Sequence, residues 1–278
     1  MTFAITMKKE FKEKFPQWVF EDNDFSVCLS DDLDSLVGAS ILKQVKGWEI
    51  KHFYDFHNLY SMDKDKRKAV GVDIALESGM TFDNHVVRLT KSDRVNTLSA
   101  NPNVVENISR ENYTEKYAMS TTLLVWSLFD LPLPETDEGK LLLLSIDSSY
   151  KGHYNESFRS IQNGWLKKLG FEELIDIQNK YSVGDFVEVK KKYDSSMKIN
   201  LKDGFLTTKI NLDGISQILG IHIELPKQVF YVRKSFKRGT YNLQYNKRYN
   251  KEKIENQLRK GIFSMALTSK HTVSLTLK

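Results

Sequence analysis

Cysteine is almost missing from this 278-residue chain, where Cys28 stands alone. An internal disulfide is thereby excluded, and a lone thiol on an apolar run reads as a buried filler in a reducing compartment rather than a nucleophile. Long apolar runs are missing too. Even Leu141 to Leu144 falls far short of the ~20 residues of a membrane span, so no membrane partner is expected. The opening Met-Thr-Phe-Ala-Ile-Thr-Met-Lys-Lys-Glu places its basic groups after its apolar ones, the reverse of a secretory signal. The expected location is the cytoplasm. There are no repeats and no low-complexity tract. What remains, 40% hydrophobic and 28% charged residues, suits a soluble globular protein of one large or two modest domains.

The net charge of +5 conceals an asymmetry. Residues 181–278 carry 19 Lys and Arg against 8 Asp and Glu, whereas residues 1–180 carry 22 against 28. An acidic half suits metal, and a basic half suits a polyanion, because phosphate neutralisation by Lys and Arg drives non-specific nucleic-acid binding.

The acidic groups gather at the ends of apolar runs. Phe25 to Leu29 reads as a buried strand, and Asp31, Asp32 and Asp34 follow it before a helix predicted over Leu33 to Val45. In open α/β sheets the carboxyl ends of strands line the ligand crevice. Either Asp31 or Asp32 caps the helix, or the three acids hold a divalent cation. Lys68 to Ala75 is a second strand-like run, ending in Asp73, and Thr81 to Val87 is a third, carrying Asp83, Asn84 and His85. Lys140 to Tyr150 is predicted to be a fourth strand, ending in Asp147. Four such ends in a parallel sheet converge on one rim and make a dinuclear site.

Order and texture resemble the DHH phosphoesterase superfamily of RecJ-like exonucleases, oligonucleotide phosphodiesterases and family II pyrophosphatases. Asp32-Leu33-Asp34-Ser35 is similar to its first motif, Asp73 to its second, Asp83-Asn84-His85 to its Asp-His-His motif, and Asp147 to its fourth. Ala118 to Trp126 looks like the Ser/Thr-rich helix preceding that last motif, so the likeness covers about residues 24–155. The chain departs from the pattern at Ser30 and Asn84, which stand where the family has metal-binding histidines. The resemblance implies an α/β fold: a mainly parallel DHH-type metal-binding domain over residues 1–154, a helical connector over 155–182, and a smaller basic α+β substrate-binding domain over 183–278. It implies ligands Asp32, Asp34, Asp73, Asp147, Asn84 and Asp31 for two divalent ions, manganese first and magnesium second. Asp73 would be the bridge, His85 would steady the phosphate, and Asp83 would orient a ligand.

Beyond residue 182 strands are predicted at Phe186 to Val189, Phe205 to Ile210, Ile221 to Leu225, Val229 to Arg233, Tyr241 to Tyr245 and Thr272 to Leu277. Residues 226–260 hold eleven Lys and Arg interleaved with six Phe and Tyr. Basic groups follow a phosphate backbone and aromatic faces stack on bases, a mixture suited to single-stranded nucleic acid; the same pattern also describes strands with a wet basic face. Arg233, Lys234, Lys237 and Arg238 are the candidate phosphate contacts. His153, just after Asp147, is either another such contact or a surface histidine. The expected activity is metal-dependent phosphodiester hydrolysis of single-stranded nucleic acid or short oligonucleotides by two-metal activation of water. The alternatives are a phosphodiesterase for a cyclic or linear dinucleotide, and a non-catalytic nucleic-acid-binding relative.

Overall fold

The computed structural model describes residues 6–62, 65–245 and 247–278. After a short helix α1 (Lys9–Lys12), strand β1 (Ser26–Leu29) is buried throughout and helix α2 (Leu33–Lys46) follows it at once. The Asp32 side chain caps α2 by accepting the Ser35 N–H at 3.3 Å, and Gly47 ends it at φ 72°, where a side chain would be strained. The expected helix over Leu33 to Val45 is therefore present. Leu36, Val37 and Ile41 on its inner face are completely buried, each contributing ~1.5–3 kcal/mol relative to exposure. Gly38 permits the close approach, since a Cβ there would lie 2.8 Å from Val72 Cγ1.

The remaining strands are β2 (Glu49–Tyr54), β3 (Asn58–Ser61), β4 (Ala69–Val72), β5 (Thr81–Phe82), β6 (Ser99–Ala100), β7 (Ile199–Lys202), β8 (Phe205–Thr208), β9 (Tyr231–Ser235), β10 (Lys237–Asn242), β11 (Ile262–Ser269) and β12 (Thr272–Leu277). Seven of them form one sheet in the order β6-β5-β4-β1-β2-β3-β9. The five from β6 to β2 run parallel, and β3 and β9 are antiparallel additions. The protein is thus α/β, with a mainly parallel sheet and two smaller antiparallel ones. The chain leaves β1 to β2 on one side and later returns to β4 on the other. That reversal makes the carboxyl ends of β1 and β4 a switch point, where a crevice opens.

The other helices are α3 (Pro102–Val105), α4 (Thr121–Leu128), α5 (Asp137–Ser145), α6 (Glu156–Leu169), α7 (Glu173–Lys180), α8 (Val183–Lys192), α9 (Leu212–Leu219) and α10 (Lys251–Leu258). Three expected strands are corrected here. Lys140 to Tyr150 is not a strand: Leu141–Leu144 lie in α5, whose start is set by Thr136 accepting the Gly139 N–H and by Asp137 and Glu138 in the first turn. A run of four leucines suits a buried helix as well as a strand, and the cap decides. Phe186 to Val189 belongs to α8, opened by a capping box of Ser182 and Asp185. Ile221 to Leu225 forms no strand, although Ile221 and Ile223 are buried.

Helices α6 and α7 fill the expected connector and break at Gly170, but they do not bridge open space. Trp165, Leu166, Leu169, Leu174 and Ile177 are buried in the same core as the sheet, and that core continues through Phe186, Ile215 and Phe230. The expected boundary at residue 183 falls inside it. A separate cluster, containing Val86, Leu89, Ile254, Met265, Leu267, Val273 and Leu275, lies beneath the three-stranded sheet β10-β12-β11. Strand β11 ties this sheet to the rim of the first: Glu77 N–H donates to Phe263 O at 3.0 Å, Met265 N–H to Ala75 O at 3.0 Å and Leu267 N–H to Val86 O at 2.8 Å. Among the described residues no helix is long and apolar enough to cross a membrane.

Candidate metal centre at the sheet rim

Asp73 is the first residue after β4 and sits at φ 58°, a left-handed conformation that an aspartate tolerates and most residues avoid. Its N–H still bonds to Phe82 O at 2.9 Å, so the turn is held from both sides while the carboxylate swings to the rim. Thr121 Oγ1 donates to Asp73 Oδ1 at 3.0 Å.

From the end of β5 come Asp83, Asn84 and His85. Asp83 is fully buried and accepts from Asn101 Nδ2 at 2.8 Å on one oxygen while His85 Nδ1 lies 2.7 Å from the other. A carboxylate on Nδ1 fixes ring and tautomer and leaves Nε2 to face a ligand. His85 Nδ1 is also 3.9 Å from Asp73 Oδ1. Asn84 donates through Nδ2 to Asp147 Oδ2 at 2.9 Å and to Met119 O at 2.8 Å. Its own carbonyl accepts from Asn103 Nδ2 at 2.7 Å.

The segment after β1 divides its three acids. Asp34 turns inward, and its two oxygens accept the N–H groups of Thr121 at 2.8 Å and Thr122 at 2.6 Å, at the start of α4. A carboxylate here complements the positive end of that helix. Asp31 and Asp32 share one cation instead: Lys198 Nζ is 2.9 Å from Asp31 Oδ1 and 3.1 Å from Asp32 Oδ2. Ser30 is completely buried, and its Oγ has no hydrogen-bond partner among the described residues. Asp147 follows the end of α5 rather than a strand, yet reaches the same rim through its bond to Asn84.

The electrostatics record the crowding. Burial pushes Asp73 up to about 8, Asp32 and Asp147 add to the rise, and His85 opposes it. Asp34 is raised well above the usual carboxylate range by burial and by Asp73, Asp147 and Asp32, with the Thr122 N–H pulling the other way. Asp147 is raised by burial and Asp32 against the pull of His85, Asn84 and Lys116. Burial alone would lower His85, but Asp83, Asp73 and Asp147 outweigh it and hold the imidazole at about 10. A divalent cation relieves this kind of repulsion, and carboxylate oxygens with one imidazole form a donor set for magnesium, manganese or zinc. Asp73, Asp83 and His85 each offer a ligand atom within 4.8 Å of the others, a group that could bind a metal ion.

Compared with known proteins, the chain matches no family model, no curated protein and no solved structure. Its function is therefore read from its own residues.

The expected phosphate contacts are spread more widely than the acids. Ser235, at the end of β9, lies opposite Asn58, which puts the turn into Lys237 and Arg238 at the same rim as Asp73. Four strand spacings of roughly 4.8 Å separate β9 from β4, about 19 Å. Arg238 lies over the Phe56 ring and Lys234 over the Phe236 ring, while Arg233 donates to Met62 O at 3.2 Å, toward the opposite end of the strand. His153 is no surface histidine: it is buried, with Nδ1 3.0 Å from Asn163 Oδ1.

Sequence reasoning missed four side chains that shape the site. Lys198, Thr121, Asn101 and Asn103 each touch an acid or its neighbour's backbone. For Thr121 a signal existed, in the Ser-Thr-Thr start of α4. Lys198 is distant in sequence and has no local mark.

Proposed function

We propose that the protein is a metal-dependent phosphodiesterase that hydrolyses single-stranded nucleic acid or short oligonucleotides. The observation that carries this reading is the group of Asp73, Asp83 and His85, whose ligand atoms lie within 4.8 Å of one another, with Asp147 joined to it through Asn84 and Asp34 through the start of α4. Asp73, Asp83 and His85 would hold a first divalent ion. Asp32 and Asp147 would complete a second position, with manganese first and magnesium second as the ions. When bound, such ions polarise a phosphoryl oxygen and make a water acidic enough to lose its proton near neutral pH.

The chain's own residues supply the rest. Asp83 fixes the His85 ring through Nδ1, so that Nε2 would be the atom offered to the first ion. Thr121 steadies Asp73, and the N–H groups opening α4 fix Asp34, so the acids need not reorganise when a phosphodiester arrives. Lys198, freed from Asp31 and Asp32, is placed to meet a phosphate oxygen. Lys237 and Arg238 extend the positive rim toward β9.

One observation favours a non-catalytic nucleic-acid-binding role: Asn84 spends its amide on Asp147 and Met119 instead of presenting an imidazole. Titration with manganese by calorimetry, followed by incubation with labelled single-stranded DNA and RNA in manganese or magnesium, separates the two. Binding with metal-dependent shortening of the labelled strand supports hydrolysis. Absence of both at millimolar metal rejects it.

A further inference from the structure

A second site lies away from the acids, where the loop after His85 meets the turn between β11 and β12. It is a cleft of about 710 Å³ lined by Leu89, Thr90, Arg110, Tyr245, Lys247, Arg248, Tyr249, Lys270 and His271 among others, with Glu111 as its one acid. Arg110 frames it. Its guanidinium donates to Lys270 O at 2.9 Å, Gln244 O at 3.2 Å and Lys247 O at 3.3 Å, and sits 5.8 Å from the centre of the Tyr249 ring. One side chain thus ties the 244–247 turn and Lys270 to its own loop and fixes the cleft's floor.

The walls are left open in two ways. Tyr245 is 83% exposed, yet its ring lies 5.8 Å from that of His271 at an interplanar angle of 37°. An exposed aromatic face beside a second flat ring forgoes burial, and it offers a stacking surface. Lys247, Arg248 and Lys270 are exposed, and none forms an ion pair among the described residues. Elsewhere the chain's lysines are commonly matched, as Lys198 is to Asp31 and Asp32 and Lys251 to Glu77. Three unmatched cations around two adjacent, mutually tilted rings suit phosphates and a base together.

We infer that this cleft is a binding site for single-stranded nucleic acid, one base stacking on Tyr245 and His271 while neighbouring phosphates lie on Lys247, Arg248 and Lys270. Leu267 of β11 is bonded to Val86, the residue after His85, and the cleft begins three residues later at Lys270, just past the end of β11. Three residues of strand cover about 10 Å. A strand held in the cleft can therefore reach the acidic rim, and in that respect the inference rests on the hydrolytic reading; the binding itself does not.

The test is fluorescence anisotropy with a labelled 15-mer of deoxythymidylate in EDTA, where no metal-dependent cleavage occurs. Wild-type protein, Y245A, the double variant K247E/R248E and D73A are compared, with circular dichroism as the check on folding. Y245A should bind about tenfold more weakly, and K247E/R248E should flatten the dependence of log Kd on log salt by about 1.4. D73A should bind like wild type. Inorganic polyphosphate should bind with no effect of Y245A. Unchanged oligonucleotide binding in both Y245A and K247E/R248E overturns the inference, as does an equal loss of oligonucleotide and polyphosphate binding in Y245A. Should the oligonucleotide bind as expected but never be cut in manganese or magnesium, the cleft stands and the hydrolytic reading falls.

Discussion

Asp34 and Lys270 carry opposite charges under opposite conditions. The aspartate is buried, held by two backbone N–H groups and crowded by like charges; the lysine is exposed and unmatched. The same contrast divides the acidic rim from the basic cleft. Charges that must gather a cation are fixed in advance at a cost in stability, because reorganising them during a reaction would cost more. Charges that follow a flexible polyanion stay in water, where they adapt and where salt screens them. Under the proposed reading, function at the rim therefore opposes folding, and function at the cleft does not.

Substitutions can break that contrast in order of expected size. Under the proposed reading, Asp73→Ala should lower metal-dependent hydrolysis by about 10³-fold, measured as initial rates on a labelled oligonucleotide, while leaving oligonucleotide affinity in EDTA unchanged. Asp34→Asn should destabilise the fold by about 2 kcal/mol in urea unfolding, because both its oxygens accept N–H bonds and an amide NH₂ must face one of those donors. Asp73→Asn should do the reverse. With the repulsion removed, the metal-free protein should melt about 2–4 °C higher at pH 8, and the stabilisation by manganese should disappear.

A pH series sharpens the same point. Asp73 stands at about 8, above an ordinary carboxyl, so the native state holds a proton the unfolded chain has lost and its stability falls as pH climbs from 4 through 8. His85 at about 10 acts in the same direction: its favourable charge is fully present below 6.5 and is lost as pH rises through 10. The metal-free melting temperature should therefore drop steadily between pH 6.5 and 9, while manganese affinity rises over that window as the ligands give up their protons. The smallest effect belongs to Lys198→Met. Releasing Asp31 and Asp32 should tighten manganese binding about two- to fivefold by calorimetry, less at high salt because Lys198 is half exposed.

Much of the rim was legible because its pieces are local. An apolar run followed at once by acids and a helix start marks β1, Asp32 and α2, and the strand ends at Asp73 and Asp83 are marked in the same way. The expected strand ending in Asp147 is a helix: four leucines carry no period, and the deciding mark, the Thr136 cap, lies upstream of them. The position of Asp147 at the rim comes from tertiary packing. Lys198 and the asparagines at 101 and 103 act across the fold, over separations for which a single sequence keeps no record. In the carboxyl-terminal part, β12 was read with its observed limits, whereas β11 escaped notice although it touches both acid loops.

That last strand sets a schedule. The loops bearing Asp73 and His85 emerge early in synthesis, but the backbone groups that β11 offers to Ala75, Glu77 and Val86 are translated much later, roughly 10 to 35 s afterwards at 5–20 residues per second. Until then those loops lack partners that only a late segment provides. A ribosome-bound chain thus holds the loops after Asp73 and His85 without their last backbone partners until β11 emerges.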